Sequence, residues 1–310
     1  MRILVTGAAG FLGSHVVPVL LREGHDVIAQ DVLAPEAATR LKDHMSKVEY
    51  RWEGVVDVSP KSLSGVDFVL HFASQGDVPL ANSSPRYTFN LNTDAVLSLL
   101  IALKETKTPM LAMSTENVYG KVPESRLPAK EDEQRNPTNS YSASKVAMEA
   151  LCNAYSCQYG IPIGVIRSST LFGERMRPRQ VISIFARQAL SNKPITIEGN
   201  GSQTRDFNYV SNMVGGMVKA IARISQGSGY QVWNIGSGVE TSIRQLVESI
   251  IRISKSSSEI VNKPPRLGEE GRLCMSIEKA RRELEYSPEV SIDQGLEMTV
   301  AWIKGEASKG

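Results

Sequence analysis

Thr6-Gly7-Ala8-Ala9-Gly10-Phe11-Leu12-Gly13 is the stretch on which the fold turns. It follows the apolar run Ile3–Thr6 and opens a segment with helical spacing over Phe11–Glu23. Glycines stand at the first, fourth and seventh positions of G-x-x-G-x-x-G. The first two permit a tight turn and close approach of backbone to a ligand, and the third lets helix pack on strand. Amides freed at the helix N-terminus then face a pyrophosphate. A glycine pattern alone is a weak signal, and its place between a strand and a helix is what gives it weight. Gly7, Gly10, Phe11, Leu12 and Gly13 are therefore candidate dinucleotide contacts.

Outward from this turn, Val27–Gln30, Val48–Arg51, Phe68–His71, Met110–Met113 and Pro162–Ile166 read as further strands. Helical patterns over Pro35–Met45, Pro85–Thr106 and Ser140–Tyr159 lie between them. Strand and helix in strict turn predict an α/β fold, a Rossmann-type doubly wound parallel sheet covered on both faces. Asp31 ends the second strand, near the offset of about 20 residues at which an acid receives the adenosine ribose hydroxyls. A carboxylate there repels a 2′-phosphate, which favours NAD over NADP. After Arg167 the alternation loosens and prolines punctuate shorter elements. The expected division is a cofactor domain over 1–166, with a return at about 206–235. A smaller C-terminal substrate lobe is expected from 167–205 and 236–310. Val118–Pro137, rich in charge, Pro and Gly, is expected to be a surface loop near the sheet's carboxyl end.

Composition bounds the rest. The 310 residues are 41% hydrophobic and 22% charged, with a formal charge of +2 and no basic stripe of the kind nucleic acid demands. Cys152, Cys157 and Cys274 form no C-x-x-C pair, so neither a disulfide framework nor a zinc site is indicated, and no metal is expected. Met1–Val5 run straight into the glycine turn, leaving no room for a signal peptide, and no apolar run approaches the roughly 20 residues of a membrane span. A reducing, cytoplasmic setting is expected, with no nucleic-acid or membrane partner.

Tyr141-Ser-Ala-Ser-Lys145 sets a phenol and an ammonium four residues apart on one helical face. An adjacent ammonium lowers a phenol's ordinary pKa of about 10 and makes it a general base near neutrality. Ser114-Thr115-Glu116-Asn117-Val118-Tyr119-Gly120 closes the strand Met110–Met113, and a hydroxyl at a strand's carboxyl end sits where ligands bind in an open α/β sheet.

With these residues the chain resembles the extended short-chain dehydrogenase/reductases, the NAD-dependent epimerase/dehydratase family. The likeness covers essentially the whole sequence. It runs through T-G-x-x-G-x-x-G, His71-Phe72-Ala73-Ser74, S-T-x-x-V-Y-G, Y-x-x-x-K and Gly199-Asn-Gly-Ser-Gln-Thr-Arg205-Asp206-Phe207-Asn-Tyr209-Val210. It continues in Asn234-Ile-Gly236-Ser-Gly238 and Gly295-Leu-Glu-Met-Thr-Val-Ala-Trp302. The resemblance implies NAD as cofactor and a nucleotide sugar as substrate. It implies Tyr141 as base, Lys145 as its pKa-lowering partner and ribose anchor, and Thr115 as the hydroxyl bonded to the reacting oxygen. It places Asp57 and Val58 at the adenine, and Phe72, Ala73 and Ser74 beside the cofactor, with Asn92 behind the site. Arg205 resembles the arginine that grips the substrate's diphosphate, and Arg266 a second nucleotide contact.

Within the family, dehydratases and decarboxylases carry Glu immediately before V-Y-G, where this chain has Asn117. An amide has no useful basicity, so proton abstraction at C5 lacks its base unless Glu116 substitutes. Thr170, followed by Arg175-Met-Arg177-Pro178, is similar to the uronic-acid 4-epimerases, where hydroxyls and arginine surround the sugar carboxylate. Glu116 counts against an acidic sugar, because two carboxylates in one small pocket repel. Glu116, Asn117, Thr170, Arg177, Arg205 and Arg266 are thus the candidate substrate contacts. The expectation is an NAD-dependent 4-epimerase of a UDP-hexose or UDP-uronic acid, working through a transient 4-keto sugar. A dehydratase, a decarboxylase, a 4-ketoreductase and a non-catalytic NAD-binding protein are the rivals. The nucleobase and the C6 group stay open. Family members commonly pair through two helices each, so a homodimer through Pro85–Thr106 and Ser140–Tyr159 is expected.

Overall fold

The computed structural model describes residues 1–227, 229–264 and 271–308. The strands, in chain order, are β1 (Arg2–Thr6), β2 (Asp26–Asp31), β3 (Glu49–Trp52), β4 (Phe68–His71), β5 (Met110–Thr115), β6 (Ile163–Ser168), β7 (Thr170–Phe172), β8 (Ile195–Glu198), β9 (Thr204–Tyr209), β10 (Tyr230–Ile235), β11 (Glu240–Ser242) and β12 (Ile260–Lys263). The helices are α1 (Phe11–Arg22), α2 (Val78–Ser83), α3 (Pro85–Phe89), α4 (Ala95–Thr106), α5 (Ser140–Tyr159), α6 (Val181–Leu190), α7 (Val210–Ile224), α8 (Ile243–Ser254), α9 (Glu278–Leu284) and α10 (Ile292–Ala307).

Strands β4, β5 and β6 are buried along their whole length, the pattern of strands covered on both faces. The main sheet has seven strands in the order β10-β6-β5-β4-β1-β2-β3, and every neighbouring pair is parallel. This is the doubly wound α/β architecture read from the sequence. Strand order reverses between β1 and β4, and the crevice outside their carboxyl ends is where such sheets bind ligands.

One face of the sheet packs on α1 and α7 through Val16, Val17, Leu20, Met213, Met217 and Ile221. The other packs on α4 and α5 through Val96, Leu99, Leu103, Met148 and Cys152. Strands β7, β9 and β11 form a small sheet of their own. A third core joins it to α6, α8 and α10, built on Phe172, Phe185, Phe207, Leu246 and Leu296. Phe11 and Leu12, at the start of α1, pack against this third core, so the glycine turn lies where the two parts of the molecule meet.

Three segments differ from the sequence reading. Pro35–Met45 is not an α-helix but a pair of 3₁₀ segments, Pro35–Ala37 and Thr39–Lys47. Within the second only Leu41 is buried, so no apolar stripe exists to hold an α-helix against the core. Pro85–Thr106 is broken by a π turn at Asn90–Asp94, which carries the buried Asn92. Val118–Pro137 is not wholly surface, because Val118, Tyr119, Val122 and Ala129 form a small core with Met275. Among the described residues no helix is long and apolar enough to cross a membrane.

Candidate active site

The glycine turn is closed by its own backbone. The Gly10 amide donates to the Gly7 carbonyl at 3.0 Å, and Ser14 N–H to Gly10 at 3.1 Å. Gly7 has φ +67°, and a Cβ there would lie 2.6 Å from the Ala73 nitrogen. A Cβ on Gly13 would lie 2.5 Å from the Ala8 carbonyl oxygen. Both positions therefore exclude any side chain. Gly10 is also the N-cap of α1 and has no side chain with which to cap it, leaving the first-turn amides of Phe11 and Leu12 to meet an anion. Asp31 stands beside them, its carboxylate accepting from Ala9 N–H at 2.9 Å and Leu33 N–H at 3.1 Å. This cradle, with a carboxylate at the end of β2, fits the diphosphate and ribose of a dinucleotide. Asp57 lies exposed on a turn and accepts from Gly54 N–H at 2.9 Å, while Val58 is buried.

Phe72, Ala73 and Ser74 leave the end of β4 directly beneath the turn. Phe72 N–H donates to the Thr6 carbonyl at 3.1 Å, and Ser74 Oγ donates to the Phe72 carbonyl at 3.3 Å. His71 is buried and shares a 2.9 Å hydrogen bond with Thr6 Oγ1. Burial, helped by the Lys145 charge, pushes its imidazole down to about 3. Asn92 works as a latch. Its Oδ1 accepts from Gln75 N–H at 2.8 Å and its Nδ2 donates to the Gln75 carbonyl at 2.9 Å and Ser144 Oγ at 3.0 Å. The π turn brings this amide inward, where it ties the loop after β4 to α5.

At the reacting end, α5 starts with a capping box between Asn139 and Ser142, which sets Tyr141 in the first turn. Tyr141, Lys145 and Glu149 follow at four-residue spacing. Thr115 ends β5. Burial raises the Tyr141 phenol above its ordinary pKa, opposed by a hydrogen bond with Thr115 and by the Arg177 charge, while Glu116 adds to the rise. Lys145 follows Tyr141 one turn on along α5. Its Nζ donates to the Met113 carbonyl at 2.9 Å, and burial pushes it down to about 8. Lys145 thus meets the end of β5, and Thr115, Arg177 and Glu116 are among the groups that act on the phenol.

Glu116 and Asn117 form the turn after β5. Asn117 Nδ2 donates to Thr115 Oγ1 at 3.0 Å. Glu116 is buried, and Thr170 Oγ1, reaching from β7, donates to its Oε1 at 3.0 Å. Arg177 is exposed. Arg205, on β9, donates to the Thr204 carbonyl at 2.7 Å. Its neighbour Asp206 is buried and accepts from the Ser237 and Gly238 amides at 2.9 and 3.0 Å. Arg266 lies outside the described residues.

Two clusters escaped the sequence reading. Behind the reacting end, Arg167 forks onto Glu149 with hydrogen bonds of 2.7 and 3.0 Å and donates to the Tyr119 hydroxyl at 2.8 Å. Its signal was available: an arginine in the otherwise apolar strand Ile163–Ser168, and a glutamate one turn beyond Lys145. Beside α1, His15 Nδ1 accepts from Arg175 at 3.0 Å while Nε2 donates to the Glu174 carbonyl at 2.8 Å. Arginine only donates and a carbonyl only accepts, which makes His15 the neutral Nε2–H tautomer. Arg175 also donates to the Ser14 carbonyl at 3.1 Å, and Tyr209 OH bonds the Glu174 carboxylate at 2.7 and 2.8 Å. This strap binds the segment carrying Arg177 to the helix that opens at the glycine turn.

Comparison with known proteins agrees with this geometry. The UDP-glucose 4-epimerase of Mycolicibacterium smegmatis is 32% identical over 317 residues, covering 99% of this chain and all of the relative. The structure of a Thermotoga maritima UDP-glucose 4-epimerase with UDP-glucose superposes with a TM-score of 0.92 at 28% identity, over 99% of this chain and 100% of that one. A Bacillus cereus UDP-glucuronic acid 4-epimerase in complex with UDP-glucuronic acid and NAD gives 0.90 at 32% identity, with 99% and 100% coverage. The model of the NAD dependent epimerase/dehydratase family matches residues 3–236, and the chain belongs to that family.

Proposed function

We propose that the chain is an NAD-dependent nucleotide-sugar 4-epimerase acting through a transient 4-keto sugar. The observation that carries the reading is Asn117 in the turn after β5, its Nδ2 donating to Thr115 Oγ1 at 3.0 Å, which sets an amide where a dehydrating carboxylate would stand, with Tyr141 near enough for its ionisation to respond to Thr115. NAD, when bound, supplies a hydride acceptor and donor and a positive charge. Gly7, Gly10, Phe11, Leu12 and Gly13 would cradle its diphosphate, Asp31 its adenosine ribose, and Asp57 and Val58 its adenine. Phe72, Ala73, Ser74 and Lys145 would border the remainder, with Asn92 fixing the loop beneath.

Thr115 orients the sugar's 4-hydroxyl, and Tyr141 as phenolate takes its proton while the C4 hydrogen leaves with its electron pair, giving the ketone. Arg205 and Arg177 hold the substrate's nucleotide as the ketone turns over, and Arg266 is proposed as a further nucleotide contact. Tyr141 then returns its proton to the oxygen as the hydrogen comes back to the opposite face. Positioning and exclusion of water supply most of the rate. The cofactor domain of this reading spans 1–166 with a return over 206–235, and the substrate lobe 167–205 and 236–310. Three free cysteines suit a reducing cytoplasm. The exposed Tyr87 and Ile101, on α3 and α4, suit a homodimer through α3–α4 and α5.

Running UDP-glucose in deuterated water tests the reaction. Inversion at C4, no deuterium at C5 and no net change in NADH absorbance are expected. A 4-keto-6-deoxy product with deuterium at C5 would select a dehydratase using Glu116, and stoichiometric NADH consumption a ketoreductase.

A further inference from the structure

Glu116 is the first residue beyond β5 and only 2% exposed. It stands on the chain segment that also carries Thr115 and Asn117, and the hydroxyl of Thr170 reaches it from β7 at 3.0 Å. A threonine hydroxyl has one proton to give, and here that proton is given to Glu116. The hydroxyl that in a uronate site would receive the sugar's carboxylate already serves a carboxylate belonging to the protein.

Connectivity brings the sugar's C6 group into the same space. The oxygen on C4 must reach Thr115 and Tyr141, C5 is bonded to C4, and C6 to C5. A group on C6 therefore lies within a few bonds of the phenol, whose ionisation already responds to Glu116. Arg177 acts on the same phenol with the opposite sign, but its side chain is exposed to solvent. Water and salt screen an exposed cation far more than a buried anion.

Resting on the nucleotide-sugar reading above, we infer that Glu116 selects a hexose bearing a C6 hydroxyl and rejects one bearing a C6 carboxylate. The C6 hydroxyl donates to the Glu116 carboxylate in a charge-assisted hydrogen bond. A uronate brings a second negative charge to a buried one and finds the Thr170 proton already committed.

The test is titration of the NAD-loaded protein with UDP-glucose and UDP-glucuronate, followed by calorimetry, in the wild type and in Glu116→Gln. Glutamine keeps an acceptor for Thr170 and removes the charge. The wild type is expected to bind UDP-glucose at least about tenfold more tightly, a modest share of a like-charge penalty at this range. In Glu116→Gln the ratio is expected to fall to about threefold or less, chiefly because UDP-glucuronate binds better. Glu116→Ser serves the same purpose if the glutamine variant loses its melting transition. Equal or tighter binding of UDP-glucuronate by the wild type overturns the inference, as does an unchanged ratio in a folded variant. If neither sugar nucleotide binds, the UDP-sugar reading itself falls and takes this inference with it. If both bind and neither is epimerised, only the reaction assignment fails and the ratio still decides.

Discussion

The two ends of the cleft are built by different means. At the glycine turn the chain excludes side chains: Gly7 lies against Ala73, Gly13 against Ala8, and the working groups are backbone amides within one short stretch. At the reacting end every working group is a side chain, and they arrive from separate elements: Thr115 from β5, Glu116 and Asn117 from the following turn, Tyr141 from α5, Thr170 from β7. Backbone geometry of the first kind suits a ligand part common to a whole family, whereas side chains of the second kind can be exchanged singly. Binding of the cofactor's diphosphate should therefore be robust to single side-chain changes and substrate choice easily altered.

Substitutions at the two ends should separate accordingly. The largest effect is expected from Tyr141→Phe, which keeps the ring and removes the acid/base group. Epimerisation followed by NMR should slow by about a hundred- to ten-thousand-fold, with NAD binding little changed. Near-normal turnover would remove Tyr141 from the reaction. Arg167→Ala touches neither ligand but leaves the buried Glu149 without its fork of 2.7 and 3.0 Å. Stability by denaturant titration should drop by about 3–5 kcal/mol, and a loss under about 1 kcal/mol would mean that the pair contributes little.

At the other end, Gly7→Ala places a Cβ 2.6 Å from the Ala73 nitrogen at φ +67°. A loss of about 1–2 kcal/mol in stability is expected, with weaker NAD binding and an unchanged preference among sugar nucleotides. A shift in that preference would show that the two ends are not separable. Asp31→Ala should weaken NAD and relax rejection of NADP by about tenfold. A parent enzyme that already prefers NADP would contradict the role given to this acid.

The smallest effect is a pH dependence at the strap joining the ends. Burial and the Arg175 charge lower His15 from 6.5 to about 4. Above 6.5 the imidazole is neutral folded or unfolded and contributes no slope. Between 6.5 and about 4 the unfolded chain takes up a proton that the folded one refuses, so stability falls as pH falls. His15→Gln should flatten the melting temperature across that window, and an unaltered slope would assign it to other groups.

The same contrast explains what could be read from the sequence. The glycine turn, Asp31 and the parallel order of β1 to β6 were legible because each is a local pattern: glycine spacing, a strand-end acid, apolar runs alternating with helical ones. Tyr141 and Lys145 were legible as a spacing, but the direction of Lys145 toward Met113 was not, because it depends on where β5 ends beneath α5. The Glu116–Thr170 contact joins residues 54 apart through the small β7–β9–β11 sheet, whose place no local pattern announces. The π turn at Asn92 is likewise set by partners on other elements, Gln75 and Ser144, rather than by its own sequence.

The position of β10 in the main sheet bears on how the protein is made. β10 pairs with β6 from Tyr230 opposite Ile163 to Ile235 opposite Ser168, after the chain has passed through β7, α6, β8, β9 and α7. At synthesis rates of about 5–20 residues per second, β6 waits several seconds with β5 on one side and no partner on the other. During that interval the free edge of a largely apolar strand stands open to pairing with a neighbouring nascent chain. A chain cut short before Tyr230 would keep that edge permanently, so shortened forms should aggregate even though the glycine turn, Tyr141 and Lys145 are all present in them.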